Sequence, residues 1–275
     1  MFDAKQIRVY IRKDFRLMCN WRGLFNLICS FAIPMVISLV FLPDKMMVKY
    51  QTTRMACFAL VCAGIWIGLF NSVTSICAER KVVKFEYQMK GLKLPSYVMA
   101  RVIAEAIICA IEAALITIVI YLRYGDGITD KLLQMPLIFV TFLLIVFSSD
   151  MLALIISAAA KKSAGAMTVM PMILIVELIF SNFIQKLDTI GKGVKAISYL
   201  TISRWGTTAF FTIANRSSLV AEKGTQDWTI FNSDSGAYQF SGVTIAKCWG
   251  LLILFAVVYI IFAMQLLKLV KKDQR

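Results

Sequence analysis

Residues 135–160 read MPLIFVTFLLIVFSSDMLALIISAAA, and Asp150 is the only charged side chain among them. About 20 apolar residues, each rising 1.5 Å along a helix, cross the hydrocarbon core of a bilayer. Backbone amides in hydrocarbon must be hydrogen-bonded within the chain, so a run of this kind forms a helix. A barrel strand would alternate apolar and polar side chains, and this run does not alternate. The stretch therefore predicts a transmembrane helix.

Five further runs of the same kind accompany it along the chain. The chain as a whole is 59% hydrophobic with a mean hydropathy of +0.75, whereas a soluble domain is about half apolar. We therefore expect an all-α polytopic membrane protein, a single transmembrane domain over residues 1–275 with six transmembrane helices. The predicted spans are residues 24–42, 55–77, 97–122, 135–160, 164–185 and 246–267.

The positive charge of the chain predicts its orientation in the membrane. The formal net charge is +14, and when the spans are assigned alternately the basic residues concentrate on one side, in residues 1–22, 78–97, 161–162 and 268–275. Short loops rich in lysine and arginine stay in the cytoplasm. We expect a multi-pass protein of the cell (inner or plasma) membrane with both termini cytoplasmic. The charge then indicates anionic lipid headgroups as partners and argues against nucleic acid.

The first 22 residues are amphipathic and lead into a first span without a cleavage site, so we expect no signal peptide. Apolar and basic side chains fall on separate helical faces, which is typical of a helix lying in the membrane interface. Residues 1–22 therefore predict an interfacial helix on the cytoplasmic leaflet. Its apolar face carries Ile7, Ile11, Phe15 and Met18, and its basic face carries Lys5, Arg8, Arg12 and Arg16.

The cytoplasmic connection after the second span has a helical pattern of its own. Val82, Phe85 and Met89 share one face, while Gly91 and Pro95 end the segment. A connection that only reversed the chain would need a few polar residues. We therefore expect residues 79–90 to form a helix that presents a surface to a cytosolic partner.

The long connection before the last span, residues 186–244, is predicted to lie outside the cell. Its first half is moderately apolar but broken by Gly, Ser and Lys, which predicts a re-entrant or interfacial pair of short helices. Its second half is polar and exposed.

Several motifs of catalysis are missing from the sequence. There is no histidine, which removes the commonest general base and the usual zinc ligand. No G-x-x-x-x-G-K-[ST] motif occurs, so the chain lacks a P-loop for ATP. The seven cysteines fall mostly in the apolar runs and include no C-x-x-C pair. We expect no enzyme activity, no metal site and no cofactor in this chain.

Four carboxylates nevertheless fall inside predicted spans: Glu105, Glu112, Asp150 and Glu177. A carboxylate in hydrocarbon is costly, so each is expected to face the bundle interior or a wet cavity. Two interpretations remain open for each. It contacts a transported substrate, or it pairs with Arg101 or with helix hydroxyls and holds the bundle together.

Two stretches resemble a known family. Residues 71–105 read NSVTSICAERKVVKFEYQMKGLKLPSYVMARVIAE and residues 198–210 read SYLTISRWGTTAF. Both are similar to the transmembrane domain of type-2 ABC exporters, the G-subfamily-like permeases of bacterial type. The family pattern of the first stretch is matched by Glu79, Arg80, Phe85, Glu86, Gly91, Tyr97 and Ala100.

The resemblance implies how the chain works. Two permeases, as a homodimer or a heterodimer, would each dock one separate ATPase subunit, which holds the ATP and Mg. They would move a lipid, peptide, drug-like or polysaccharide substrate outward by alternating access. Residues 1–22 would be the connecting helix and residues 79–90 the coupling helix. Its ATPase contacts would be Glu79, Arg80, Lys84, Phe85, Glu86, Met89 and Gly91, and the substrate cavity would be lined by Phe70, Asn71, Met170, Leu174 and Glu177.

A membrane scaffold or channel without an ATPase is the alternative. In that case the helix at residues 79–90 would bind lipid headgroups only. Copurification of an ATPase would separate the two hypotheses.

Overall fold

The computed structural model describes residues 3–18, 21–41, 46, 48–128, 130–181, 192–214, 219 and 240–268, and these ranges contain ten α-helices and no strand. The all-α prediction is confirmed for this part of the chain. A 3₁₀ turn at Gly125–Gly127 separates the fifth and sixth helices. The helices are α1 Ala4–Met18, α2 Trp21–Val40, α3 Tyr50–Ser72, α4 Ser75–Lys90, α5 Leu94–Tyr124, α6 Lys131–Ala159, α7 Ser163–Ile179, α8 Lys192–Ser198, α9 Ile202–Ile213 and α10 Gly242–Leu267.

Four helical stretches of the described residues are long and apolar enough to cross a membrane: Tyr50–Met89, Leu94–Gly127, Lys131–Ala159 and Gly242–Leu267. The first contains α3 and all of α4 except Lys90. The predicted spans 24–42 and 164–185 coincide with shorter apolar helices, Leu24–Val40 and Ser163–Ile179. The ends of both predicted spans, at residues 42 and 182–185, lie outside the described residues.

The segment predicted as residues 79–90 is helical from Ser75 to Lys90. It ends at Gly91, whose φ of 66° is the left-handed conformation that glycine adopts without a steric penalty. The backbone N–H groups of Gly91 and Leu92 both donate to the carbonyl oxygen of Glu86. Pro95 then lies in the first turn of α5, where its missing N–H costs nothing. Glycine and proline thus produce the sharp turn between α4 and α5.

The centre of the fold is α6, which packs against α3, α5, α9 and α10. A Cβ on Gly68 of α3 would lie 2.3 Å from the carbonyl oxygen of Val146, so only glycine permits this approach of α3 to α6. The rings of Phe142 and Phe210 meet edge to face at 5.0 Å and join α6 to α9. We call these contacts of α3, α6 and α9 the packed centre.

The predicted pair of short helices before the last span corresponds to α8 and α9. Most of α9 is buried, since Ile202, Phe210 and Phe211 are fully covered where it packs against α3, α6 and α10. In α8 and the turn after it, Ile197 and Leu200 are exposed. Most of the remainder of the loop, residues 186–191, 215–218 and 220–239, lies outside the described residues.

Candidate functional site

One face of α4 exposes apolar side chains on an otherwise charged helix. Phe85 is 56% exposed and Met89 is 71% exposed, and Val82 lies exposed one turn before Phe85. The three side chains share a face, as the sequence predicted, because residues three and four apart are neighbours on a helix. We call Val82, Phe85 and Met89 the outer face of α4.

A second face of α4, about a quarter turn away, is held by α1 and the start of α5. Val83 is buried there. The carboxylate of Glu79 accepts hydrogen bonds from Lys13 Nζ at 3.0 Å and from the Tyr97 hydroxyl at 3.1 Å. The carboxylate of Glu86 accepts one from the Tyr10 hydroxyl. Burial and that carboxylate raise the pKa of Tyr10, so the hydroxyl stays protonated and keeps donating.

Arg80 joins α4 to the end of α6. Its Nη1 donates to the carbonyl oxygens of Ala158 at 3.1 Å and Ala160 at 2.9 Å. These carbonyls lie at the carboxyl end of α6, where the backbone lacks intrahelical partners and the helix dipole favours a cation. Arg80 therefore stabilises the end of a helix within its own chain.

The seven predicted coupling residues thus occupy different places. Phe85 and Met89 lie on the outer face, Lys84 is partly buried at its side, and Gly91 ends the helix. The remaining three, Glu79, Arg80 and Glu86, contact the rest of the chain. The role of these residues in binding an ATPase stays a prediction.

Glu105 belongs to a buried ion-pair cluster that sequence reasoning only partly identified. Arg101 Nη1 lies 2.9 Å from Asp14 Oδ1, and Arg101 Nε lies 3.3 Å from Glu105 Oε1. Burial raises the pKa of the Asp14 carboxyl, and the Arg101 guanidinium opposes that rise. Asp14 was missed. The available signal was its position on the apolar face of α1, one turn after Ile11, where a carboxylate needs a buried partner.

Glu112 accepts hydrogen bonds from two other helices. Asn71 Nδ2 on α3 donates to its Oε2 at 2.7 Å, and the Ser30 hydroxyl on α2 donates to its Oε1 at 3.2 Å. Asn26 Nδ2 on α2 in turn donates to Asn71 Oδ1 at 3.2 Å. The amide of Asn71, predicted to line the substrate cavity, is therefore engaged with Glu112 inside one chain. We call these four residues the α2–α3–α5 polar network.

Asp150 is fully buried on α6 beside the contact with Gly68. The Cys109 thiol donates to its Oδ2 at 3.7 Å, and its Oδ1 accepts no hydrogen bond from the described residues. Among the described residues, no single ion pair accounts for the burial of the Asp150 carboxylate. Substrate contact and a structural role inside the bundle both stay predictions for Asp150.

Glu177 lies on α7 and caps the start of α9. Its Oε2 accepts the backbone N–H of Ser203 at 3.0 Å, and the Ser203 hydroxyl donates to the Glu177 carbonyl. Ser203 lies in the first turn of α9, where an anion is favoured by the free N–H groups and by the helix dipole. The carboxylate therefore fixes the start of α9 against α7.

The other predicted cavity residues divide between two environments. Met170 and Leu174 are buried on the same face of α7 as Glu177, within the core of the chain. Phe70 is partly exposed on α3. A cavity formed between two chains stays a prediction for all five residues.

Comparison with known proteins agrees with this architecture. Residues 5–214 match the ABC-2 type transporter family. The chain is also similar to ABC transporter ATP-binding/permease protein Rv1747 of Mycobacterium tuberculosis, with 22% identity over 219 residues, which is 74% of this chain and 25% of that protein. The chain thus spans about a quarter of the length of this relative. With its long apolar helices, the chain is an integral membrane protein that belongs to the ABC-2 type transporter family.

Proposed function

We propose that the chain is the transmembrane permease of an ATP-driven exporter, and that it pairs with a second permease chain, as a homodimer or heterodimer, and with two ATPase subunits. The family match supports the permease role. The proposed ATPase docking rests on one observation about α4. This helix exposes Phe85 and Met89, while Glu79 and Arg80 bond to the rest of the chain. ATP and Mg would be held by the ATPase.

The outer face of α4 has the composition of an interface centre. Apolar anchors that become buried carry most of the binding free energy of an interface, whereas exposed charges contribute little. Because α4 is fixed to α1 and to the end of α6, a displacement imposed on Phe85 would pass to the bundle. The proposed cycle is alternating access, in which α3 and α7 of two chains open a central cavity outward.

The ATPase is proposed to be a separate chain. The relative from Mycobacterium tuberculosis is called an ATP-binding/permease protein. An ATPase on a separate chain therefore has to be distinguished from an ATPase on the same chain as the permease. Denaturing electrophoresis of the purified complex does so. A separate ATPase band at equal stoichiometry supports the proposal, and ATPase peptides from the permease band contradict it.

Double substitution of Phe85→Ala with Met89→Ala tests the docking. Because both side chains are exposed, the stability of the permease should change by less than about 0.5 kcal/mol, while ATPase copurification and ATP-driven transport are lost. Ile253→Ala with Val257→Ala is the matched control, since both side chains are also exposed and apolar but lie on α10, outside the proposed cavity. If the α4 variant retains stoichiometric ATPase and full transport, the coupling role is wrong and the scaffold or channel alternative is favoured.

The proposed topology has six spans, both termini and α4 in the cytoplasm, and residues 186–244 outside. In intact cells with a cysteine-free background, Ser235→Cys should react with a membrane-impermeant thiol reagent. Gln88→Cys, which is exposed on α4, should react only after the membrane is permeabilised. The reverse pattern would overturn the topology.

A further inference from the structure

A cleft of about 180 Å³ lies between the first half of α2 and the last two turns of α3. Phe25, Asn26 and Cys29 line it from α2, and Trp66 and Phe70 line it from α3. The described part of α7 contributes nothing to the cleft, which shares only Phe70 with the predicted substrate cavity. An apolar cavity of roughly 150 Å³ takes up benzene. The cleft therefore has room for one ring or a short hydrocarbon segment.

One wall of the cleft is a flat aromatic surface. The rings of Trp66 and Phe70 are stacked at 5.5 Å between centroids with 21° between their planes. They are 43% and 37% exposed, so the surface is accessible from outside the chain. Aromatic surfaces of this kind bind other rings and hydrocarbon chains and attract cations over their faces.

The polar end of the cleft is Asn26, the first member of the α2–α3–α5 polar network. Its Nδ2 donates to Asn71, whose own amide donates to Glu112. Within the described residues, the amide oxygen of Asn26 accepts no hydrogen bond. It is therefore available to a ligand that donates an O–H or N–H.

We propose that this cleft binds the ring or short hydrocarbon end of a membrane-dissolved amphiphile, neutral or cationic, whose hydroxyl or amine donates a hydrogen bond to Asn26. Ligand sites combine apolar walls with a few polar groups that fix orientation, and the cleft has both. Under the proposed topology it opens in the cytoplasmic half of the bilayer, because α2 begins and α3 ends there. The binding claim goes beyond the export function and is independent of it, since it needs no ATPase.

Cys29 provides a direct assay because it is a free, partly exposed cysteine that lines the cleft. In the full chain, reconstituted in lipid nanodiscs with the other six cysteines replaced, Cys29 is labelled with N-phenylmaleimide. The probe is 4-phenylbutanol, compared with its methyl ether, which keeps the ring and loses the donor. We expect the alcohol to slow labelling about fivefold more than the ether, the factor that one net hydrogen bond gives.

Two variants assign the effect to the cleft. Trp66→Leu with Phe70→Leu should abolish protection of Cys29 by both probes, and Asn26→Leu should remove the preference for the alcohol. A cysteine introduced by Ile253→Cys, at an exposed apolar position of α10, is the control for general effects of the probe on the bilayer, and its labelling should not change.

Three results would overturn the proposal. Equal protection at Cys29 and at position 253 would mean that the probe acts through the bilayer. Protection unchanged in the Trp66→Leu, Phe70→Leu variant would place the ligand elsewhere. A Cys29 thiol that does not react without any probe would mean that a second chain covers the cleft. None of these results affects ATPase docking at α4, so the two proposals fail separately.

Discussion

The junction of α1, α4 and α5 and the packed centre of α3, α6 and α9 are stabilised in opposite ways. The junction is joined by ion pairs and hydrogen bonds, including Lys13 with Glu79 and Arg101 with Asp14. The packed centre is joined by close backbone approach at Gly68 and by the Phe142–Phe210 contact. We call the first region the polar junction.

The difference teaches where each kind of substitution is costly. In the polar junction, a substitution that only changes the shape of a side chain is tolerated. A substitution that removes one partner of an ion pair leaves the other charge buried, which is strongly destabilising. In the packed centre, the contacts are made by backbone and aromatic rings, and a carbon added at Gly68 has no space. If α4 transmits movement as proposed, it does so from a region anchored by polar contacts with defined geometry, whereas the packed centre depends on a fixed shape.

Arg101→Met should have the largest effect. It leaves Asp14 and Glu105 buried without their cation, and breaking a buried pair in this way costs about 3–5 kcal/mol. The free energy of unfolding, measured by denaturant titration in mixed micelles, should fall by that amount.

The matched control removes all three charges together, as Asp14→Asn, Arg101→Met and Glu105→Gln. Since no unpaired charge remains, most of the lost stability should return. If the triple variant is as unstable as Arg101→Met alone, the polar junction is held by shape and the comparison between the two regions fails.

Gly68→Ala should have the next largest effect, about 3 kcal/mol of lost stability, since the new Cβ forces α3 away from α6. Gly64→Ala, one turn earlier on α3, is the control. Its Cβ would lie 3.5 Å from Ile145 and Phe142, an ordinary contact, so its stability should stay within about 1 kcal/mol of the parent. Equal thermal unfolding midpoints for the two variants would show that the approach of α3 to α6 is not tight.

Glu177→Ala should have the smallest effect, about 1–2 kcal/mol, the usual cost of losing a helix cap. Glu177→Gln keeps an oxygen acceptor for the Ser203 N–H, so it should lose only the charge–dipole contribution, about 0.5–1 kcal/mol. Thermal unfolding of both variants measures the difference. Loss of transport in a Glu177→Gln protein of unchanged stability would instead assign the carboxylate to substrate contact.

Features that depend on one helix alone were predictable from the sequence. The helical nature of the apolar runs follows from length and composition, and the shared face of Val82, Phe85 and Met89 follows from spacing. The end of α4 at Gly91 follows from the conformational freedom of glycine. Each of these features is decided by local sequence.

Features that depend on two distant segments were not predictable in the same way. Spacing alone did not show that Asp14 meets Arg101, because their contact requires α1 to pack on α5. Glu177 was identified as an unusual carboxylate, but its partner is a backbone N–H, which leaves no trace in side-chain identity. The cleft between α2 and α3 likewise exists only once two helices are placed together.

The contact of Arg80 with the last carbonyls of α6 has a mechanical consequence. Gly91 could act as a hinge, about which α4 would swing while the bundle stayed still. The bonds from Arg80 to the end of α6, and those from Tyr10 and Lys13 of α1 to Glu86 and Glu79, fasten α4 at points along its length. Under the proposed docking at α4, a push on this helix would pass through these contacts into α6, the helix that touches α3, α5, α9 and α10.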